Sequence, residues 1–194
     1  MYKCFFKRLI DFVLSLLGII LFSPIYILII FFIMLDSKGP IIFKQKRICQ
    51  NKKEFYILKF RTMYVDTPKD IPTHMLANPD SFITSTGKFL RKTSLDELPQ
   101  IFNILKGEMA IIGPRPALWN QADLIEERDK YGANNIRPGL TGWAQINGRD
   151  ELSIEIKAEL DGEYVEKMGI MLDLKCFFLT IYKVIKVDGI KEGK

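Results

Sequence analysis

The sequence predicts an α/β chain, mostly helical, with an N-terminal apolar segment ahead of a small sheet and several helices. Three observations carry that expectation. Residues 12–35 contain no charged side chain. Behind them, Ile41-Ile42-Phe43 and Phe55-Tyr56-Ile57-Leu58 are short runs of strand-forming residues. Apolar side chains then recur at helical spacing, first at Leu98, Ile101, Phe102 and Leu105, later at Leu174, Phe177, Phe178, Ile181 and Ile185. With 194 residues the chain has room for one ordinary domain and little for a second. The natural division is a membrane segment over residues 1–36 and a water-facing domain over residues 37–194.

The apolar run comes first. As a helix, residues 12–35 extend about 36 Å at 1.5 Å per residue, and a hydrocarbon core is ~30 Å thick. The run is too long for a cleaved signal peptide, and no small-residue cleavage site follows it. A single spanning helix is the plain reading. Ser23-Pro24 at mid-run favours another. Proline removes a helix hydrogen bond there and crowds the preceding turn, and the Ser23 hydroxyl is placed to satisfy a freed backbone group. Lys3, Lys7 and Arg8 precede the run, and Lys38, Lys44, Lys46 and Arg47 follow it. Basic flanks prefer the cytoplasm, so a helix that enters and leaves on one face accounts for both. The residues alone leave spanning and re-entrant forms open.

Charge is uneven along the chain. Residues 1–61 hold eleven Lys/Arg against three Asp/Glu, whereas the whole chain carries only +5. A basic cluster beside an apolar segment attracts anionic membrane lipids, at roughly 1 kcal/mol per basic residue near the surface. No basic stripe with interleaved aromatics occurs in the remainder, which argues against a nucleic-acid partner. Cys4, Cys49 and Cys176 are widely separated and His74 is the single histidine, so a structural zinc site is not expected.

The water-facing part follows in order. Gly39-Pro40 marks the exit from the membrane segment, and residues 49–53 separate the two strands. Residues 66–87 are rich in Pro, Asp, Ser, Thr and Gly and predict a long loop. The stripe from Leu98 to Leu105 predicts a helix that Gly107 ends. Met109 begins a brief apolar run stopped by Gly113-Pro114-Arg115-Pro116. A polar helix is expected over residues 118–131, and Arg137-Pro138-Gly139-Leu140-Thr141-Gly142 is rich in turn residues. The C-terminal stripe, with Lys175, Lys183 and Lys186 beside it, fits an interfacial amphipathic helix. A core-packing helix fits it equally.

Asp96-Glu97 is the pair that bears on chemistry. Locally it has a plain explanation. Ser94-x-x-Glu97 matches a capping box, and acidic residues favour helix N-termini. Asp96 itself suits an N-cap, with Pro99 tolerated in the first turn. The alternative is catalytic. One carboxylate attacks phosphorus and forms an acyl phosphate, while its neighbour holds Mg2+ that bridges substrate phosphates. Such a site needs cations for a diphosphate. Arg91 and Lys92 precede the pair, Lys59 and Arg61 end a predicted strand, and Arg115 is stiffened between two prolines. A guanidinium in a rigid loop suits bidentate phosphate contacts. Glycine-rich GxGxxG and Walker loops are absent from the sequence.

Several motifs in one order make the pattern specific. They are the apolar segment with Ser23-Pro24, Phe43-Lys44-Gln45-Lys46-Arg47, Lys59-Phe60-Arg61-Thr62-Met63, and Arg91-Lys92-Thr93-Ser94-Leu95-Asp96-Glu97-Leu98-Pro99-Gln100. Gly113-Pro114-Arg115-Pro116, Arg137-Pro138-Gly139-Leu140-Thr141-Gly142 and Gln145-Ile146-Asn147-Gly148-Arg149 complete them. Over nearly its whole length the chain resembles bacterial sugar transferases of the small monotopic phosphoglycosyl transferase family. The resemblance implies a re-entrant membrane helix broken at Ser23-Pro24, with residues 37–194 forming a cytoplasmic catalytic domain on a bacterial inner membrane. It implies that Asp96 is the nucleophile and that Glu97, with Asp96, binds Mg2+. A UDP-sugar would lose its phosphosugar to Asp96, releasing UMP, and undecaprenyl phosphate or a similar polyprenyl phosphate would accept it. Lys59, Arg91, Arg115, Arg137 and Arg149 are the implied contacts to phosphate or nucleotide. The small size is similar to that of the bacillosamine-phosphate transferases of bacterial N-linked glycosylation, which implies an N-acetylated donor such as UDP-diacetylbacillosamine. Two features depart from the pattern: Cys49 stands where relatives often carry glycine, and residues 78–86 follow no family motif. Two rivals are direct attack by the lipid phosphate in a ternary complex, and a non-catalytic membrane adaptor that holds nucleotide or anionic lipid.

Overall fold

The computed structural model describes residues 2–67, 79–148 and 152–186. His74 and Arg149 lie outside them. After a π-helical turn at Tyr2–Phe6, the apolar run forms one long helix, α1 (Lys7–Asp36). Helical backbone continues through Ser23-Pro24, so the break expected there is not an interruption of the helix. The Ser23 hydroxyl explains how the proline is tolerated. It donates to the Ile20 carbonyl at 2.8 Å, the group that Pro24 cannot bond for want of an N–H. By length and composition α1 is able to cross a membrane, and only 11% of its most apolar stretch is buried in the protein. That small share distinguishes it from the core helix of a water-soluble fold.

One stripe of α1 nonetheless faces the rest of the chain. Lys7, Asp11, Ser15, Ile29 and Ile33 are buried, and a methyl built on Gly18 would sit 3.5 Å from Ile101 Cδ1. These positions recur every three or four residues, as one helix face requires. Near the start, Lys7 Nζ and Tyr2 OH both reach Asp173 Oδ2, at 2.7 and 2.6 Å. Arg8 donates to the Ile104 and Leu105 carbonyls at 2.6 and 2.8 Å. Near the end, Tyr26 OH donates to the Leu98 carbonyl at 2.6 Å, and Ile29 and Ile33 pack with Phe60 and Leu90. Arg61 then clasps the Ser37 and Lys38 carbonyls at 2.6 and 3.1 Å.

The two predicted strands are β1 (Ile42–Ile48) and β2 (Glu54–Phe60), an antiparallel hairpin in the register Ile42↔Phe60 to Ile48↔Glu54. Its turn places Asn51 and Lys52 at φ 56° and 59°, the two left-handed residues of a type I′ turn. Cys49 is extended, with φ −100°, so no glycine is required there, and its thiol donates to the Glu108 carbonyl at 2.8 Å. The expected single sheet is two separate pairs. β3 (Ala110–Ile112) and β4 (Gly139–Thr141) run parallel to each other. β4 hides in a segment that reads as turn because its core contribution is backbone pairing.

Helices fill the remainder. Residues 68–78 of the loop expected over 66–87 lie outside the described residues, and its end comes earlier than expected, because Thr84 caps α2 (Ser85–Lys92) by accepting from the Gly87 N–H at 3.0 Å. α3 (Gln100–Lys106) ends at Gly107, φ 87°, as the sequence predicts. α4 (Ala122–Asp129) is shorter than the expected 118–131. A four-residue turn, α5 (Trp143–Ile146), follows β4. α6 (Ile154–Lys167) was not anticipated, since its buried side chains are Ala158, Asp161 and Tyr164 and make no apolar stripe. In α7 (Ile170–Lys186), Leu174, Phe177, Phe178 and Ile181 are exposed while Cys176 is buried. The C-terminal stripe is therefore not the core-packing face.

Candidate active site

Asp96 and Glu97 lie on a single 3-10 turn, Leu95–Glu97, between α2 and α3. The capping reading fails there. Ser94 is left-handed, with φ 56° and ψ 16°, and its side chain makes no cap hydrogen bond. Pro99 precedes α3, and no side chain caps that helix either. The left-handed turn takes the Ser94 side chain out of register with the N–H groups it would cap. Both carboxylates are thereby directed toward cations instead.

Lys59 Nζ stands 2.6 Å from Glu97 Oε1 and 3.8 Å from Asp96 Oδ2. Arg115 Nη2 approaches Glu97 Oε1 at 3.7 Å. Asp96 is only 9% exposed. Burial pushes its carboxyl above the usual carboxylate range and Glu97 adds to the rise, while Lys59, Arg91 and Arg115 pull it back. Two acidic and three basic groups thus share one partly dry turn. Such a group of cations is suited to a diphosphate, whose negative charge it offsets.

Each cation is set by its element. Lys59 is the penultimate residue of β2. The free edge of that strand is held by Asn103, which accepts from the Leu58 N–H at 3.0 Å and donates to the Tyr56 carbonyl at 2.9 Å. Arg91 is in the last turn of α2 and donates to Thr62 Oγ1 at 3.0 Å and to Met63 Sδ at 3.2 Å. α2 reaches that position because Gly87 lies against the Thr62 carbonyl, and a Cβ there would be 2.1 Å from the oxygen. Arg115 leaves the loop after β3, where Gly113 passes Gly139 and Gly142 too closely for any side chain.

Of the implied site residues, the structure brings together Asp96, Glu97, Lys59, Arg91 and Arg115. It does not bring Arg137 to them. Arg137 Nε donates to the Gly107 carbonyl at 2.9 Å, beyond the opposite end of α3. Arg149 falls outside the described residues. Arg61 serves the exit of α1 rather than the site. Among the described residues, no group of three or more Asp, Glu, His or Cys side chains is arranged for a metal ion. The adjacent pair still fits Mg2+, which is commonly held by one or two carboxylates with substrate phosphates and water completing its shell. The buried pair Arg128 and Asp161, behind Arg115, gave no signal in the sequence. The two lie 33 residues apart in helices whose polar composition looks solvent-exposed.

A family model of bacterial sugar transferases matches residues 2–187. The chain belongs to the bacterial sugar transferase family. Among its relatives is an uncharacterized sugar transferase of Bacillus subtilis, EpsL, 40% identical over 96% of this chain and 90% of its own length. The exopolysaccharide production protein ExoY of Rhizobium meliloti is 34% identical over 94% of this chain and 87% of its own. The UDP-glucose:undecaprenyl-phosphate glucose-1-phosphate transferase of Escherichia coli is 40% identical over 91% of this chain. This sugar transferase chain spans only 39% of that larger protein's length.

Proposed function

We propose that the chain transfers a sugar 1-phosphate from a UDP-sugar to undecaprenyl phosphate and releases UMP, with Asp96 as the covalent nucleophile. The observation that carries this reading is the Leu95–Glu97 turn. It buries the Asp96 carboxylate within reach of Lys59 and sets Glu97 beside it, facing Lys59 and Arg115. In the first half-reaction an Asp96 oxygen attacks the sugar-bearing phosphorus. The bond from that phosphorus to the bridging oxygen breaks, and UMP leaves with the oxygen. In the second, an oxygen of the lipid phosphate attacks the same phosphorus. The bond to Asp96 breaks, the carboxylate is restored, and a lipid diphosphosugar departs. Arg91 and Arg115 hold the donor phosphates. Lys59 orients Glu97 and opposes the rise that burial imposes on the Asp96 carboxyl. Mg2+ held by Glu97 and Asp96 would offset the charge of the diphosphate.

The glucose named in several relatives favours UDP-glucose as donor over the N-acetylated sugar that the small size suggests. A one-sided membrane position is part of the proposal. Both ends of α1 bond to the same body, and its basic flanks favour the cytoplasmic face and its anionic lipids. Steady-state kinetics with both substrates test the mechanism. The covalent route gives parallel double-reciprocal lines and UMP release that chelation of Mg2+ suppresses. Intersecting lines would support a ternary complex instead. A panel of UDP-sugars, scored by UMP release, identifies the donor.

A further inference from the structure

The loop that carries Arg115 is held at four consecutive carbonyls, those of residues 114–117. The Pro114 oxygen accepts from the Gly139 N–H at 2.8 Å, and the Ala117 oxygen from the Ile48 N–H at 2.9 Å. Between them, the Pro116 oxygen accepts from Arg47 Nη1 at 2.9 Å, and the Arg115 oxygen from Arg128 Nη1 at 2.9 Å. The donors come from β4, from the end of β1 and from α4, so three elements converge on four consecutive carbonyls. Prolines at 114 and 116 contribute no N–H of their own. The side chain of Arg115 is therefore aimed by a backbone fixed through its oxygens.

The Arg128 bond is made by a buried side chain. Arg128 is 5% exposed and Asp161, on α6, is 1% exposed. Arg128 Nε and Nη2 both donate to Asp161 Oδ2, at 2.8 and 2.6 Å. Two bonds to one oxygen fix the guanidinium plane and leave Nη1 pointing at the Arg115 carbonyl. Net stability is a poor explanation for such a pair. Buried ion pairs gain little over apolar packing, and Asp161 Oδ1 has no hydrogen-bond partner among the described residues. What the pair does produce is a rigid third bond, directed at the residue that faces Glu97.

We infer that Arg128 and Asp161 are positioning residues for Arg115: the buried pair sets the loop backbone so that the Arg115 guanidinium meets the donor phosphates. The inference rests on the proposed role of Arg115 in binding the donor. Neither Arg128 nor Asp161 touches substrate. Their effect on turnover passes through Arg115 alone, and this separates positioning from general support of the fold.

A double-mutant cycle on the full chain in detergent tests it. UMP release is measured for wild type, Arg128→Lys, Arg115→Ala and the double variant. Lysine at 128 keeps the charge facing Asp161 but loses the fork, and with it the bond to the Arg115 oxygen. Displacing a substrate-positioning group by about 1 Å costs up to ~100-fold, and a partial shift here is expected to lower kcat/KM for the donor about 10-fold. In the Arg115→Ala background the same change is expected to cost less than about 2-fold, because coupled residues are not additive. Asp161→Asn, of nearly the same shape, carries the same cycle if Arg128→Lys folds poorly. Equal losses in the two backgrounds would overturn the positioning role and leave the role of Arg115 intact. An Arg115→Ala variant with unchanged kcat/KM would overturn both.

Discussion

Ser94 sits at φ 56° beside the proposed nucleophile, a conformation that glycine adopts freely and L-residues resist. Its side chain forms no cap that would compensate. Ser94→Gly is therefore expected to raise stability by about 1 kcal/mol, read from denaturant unfolding in detergent, the lower end of the left-handed cost. A loss of stability would mean that the serine side chain supports the turn in some other way. The same residue marks where reading the sequence stops. Ser94-x-x-Glu97 matches a capping box, and the same carboxylates are equally able to serve as a nucleophile and a metal ligand. The backbone angle at Ser94 argues against the capping box, and the catalytic reading stands as the proposal. Lys59, Arg91 and Arg115 were legible as cations near element ends. Arg137 looked equivalent, but its bond to the Gly107 carbonyl ties it to the other end of α3.

At the level of elements, α2 meets the segment just after β2 where Gly87 lies on the Thr62 carbonyl. Alanine normally favours a helix over glycine by up to ~1 kcal/mol. Here a Cβ would stand 2.1 Å from backbone oxygen, which no rotamer change relieves. Gly87→Ala is expected to destabilise the protein by roughly 1–3 kcal/mol, as overpacking does. It should also lower turnover, because Arg91 and its Thr62 partner move apart. Thermal melts and UMP release measured on one preparation check both effects, and a stabilised, fully active variant would contradict this packing. α3 and α7 were legible from their apolar spacing, and α1 from its unbroken apolar run. β4 and α6 were not. The first contributes backbone pairing from Gly139-Leu140-Thr141, and the second buries Asp161 where an apolar residue would have revealed the face.

Taken whole, the molecule holds its membrane helix along one side. Tyr2, Lys7 and Arg8 at one end and Asp36 at the other all bond to the same body, Asp36 accepting from the Thr86 N–H at 2.7 Å. A helix crossing the bilayer would carry one end away from that body. In a background without the native cysteines, Phe5→Cys and Lys38→Cys should both be protected from an impermeant maleimide in intact cells and both labelled in inside-out vesicles. Labelling of the two from opposite sides would defeat the one-sided arrangement. On the proposed mechanism, a one-sided arrangement would let a water-soluble donor and a lipid acceptor use one carboxylate in turn, with two separable half-reactions. The most direct measurement supplies the donor alone. Purified enzyme with Mg2+ and a labelled UDP-sugar accepted in the donor panel, and no lipid phosphate, should release UMP in proportion to enzyme and retain the label on the protein. Asp96→Asn should do neither. Release of UMP only when lipid phosphate is present, or label retained by Asp96→Asn, would contradict the covalent account.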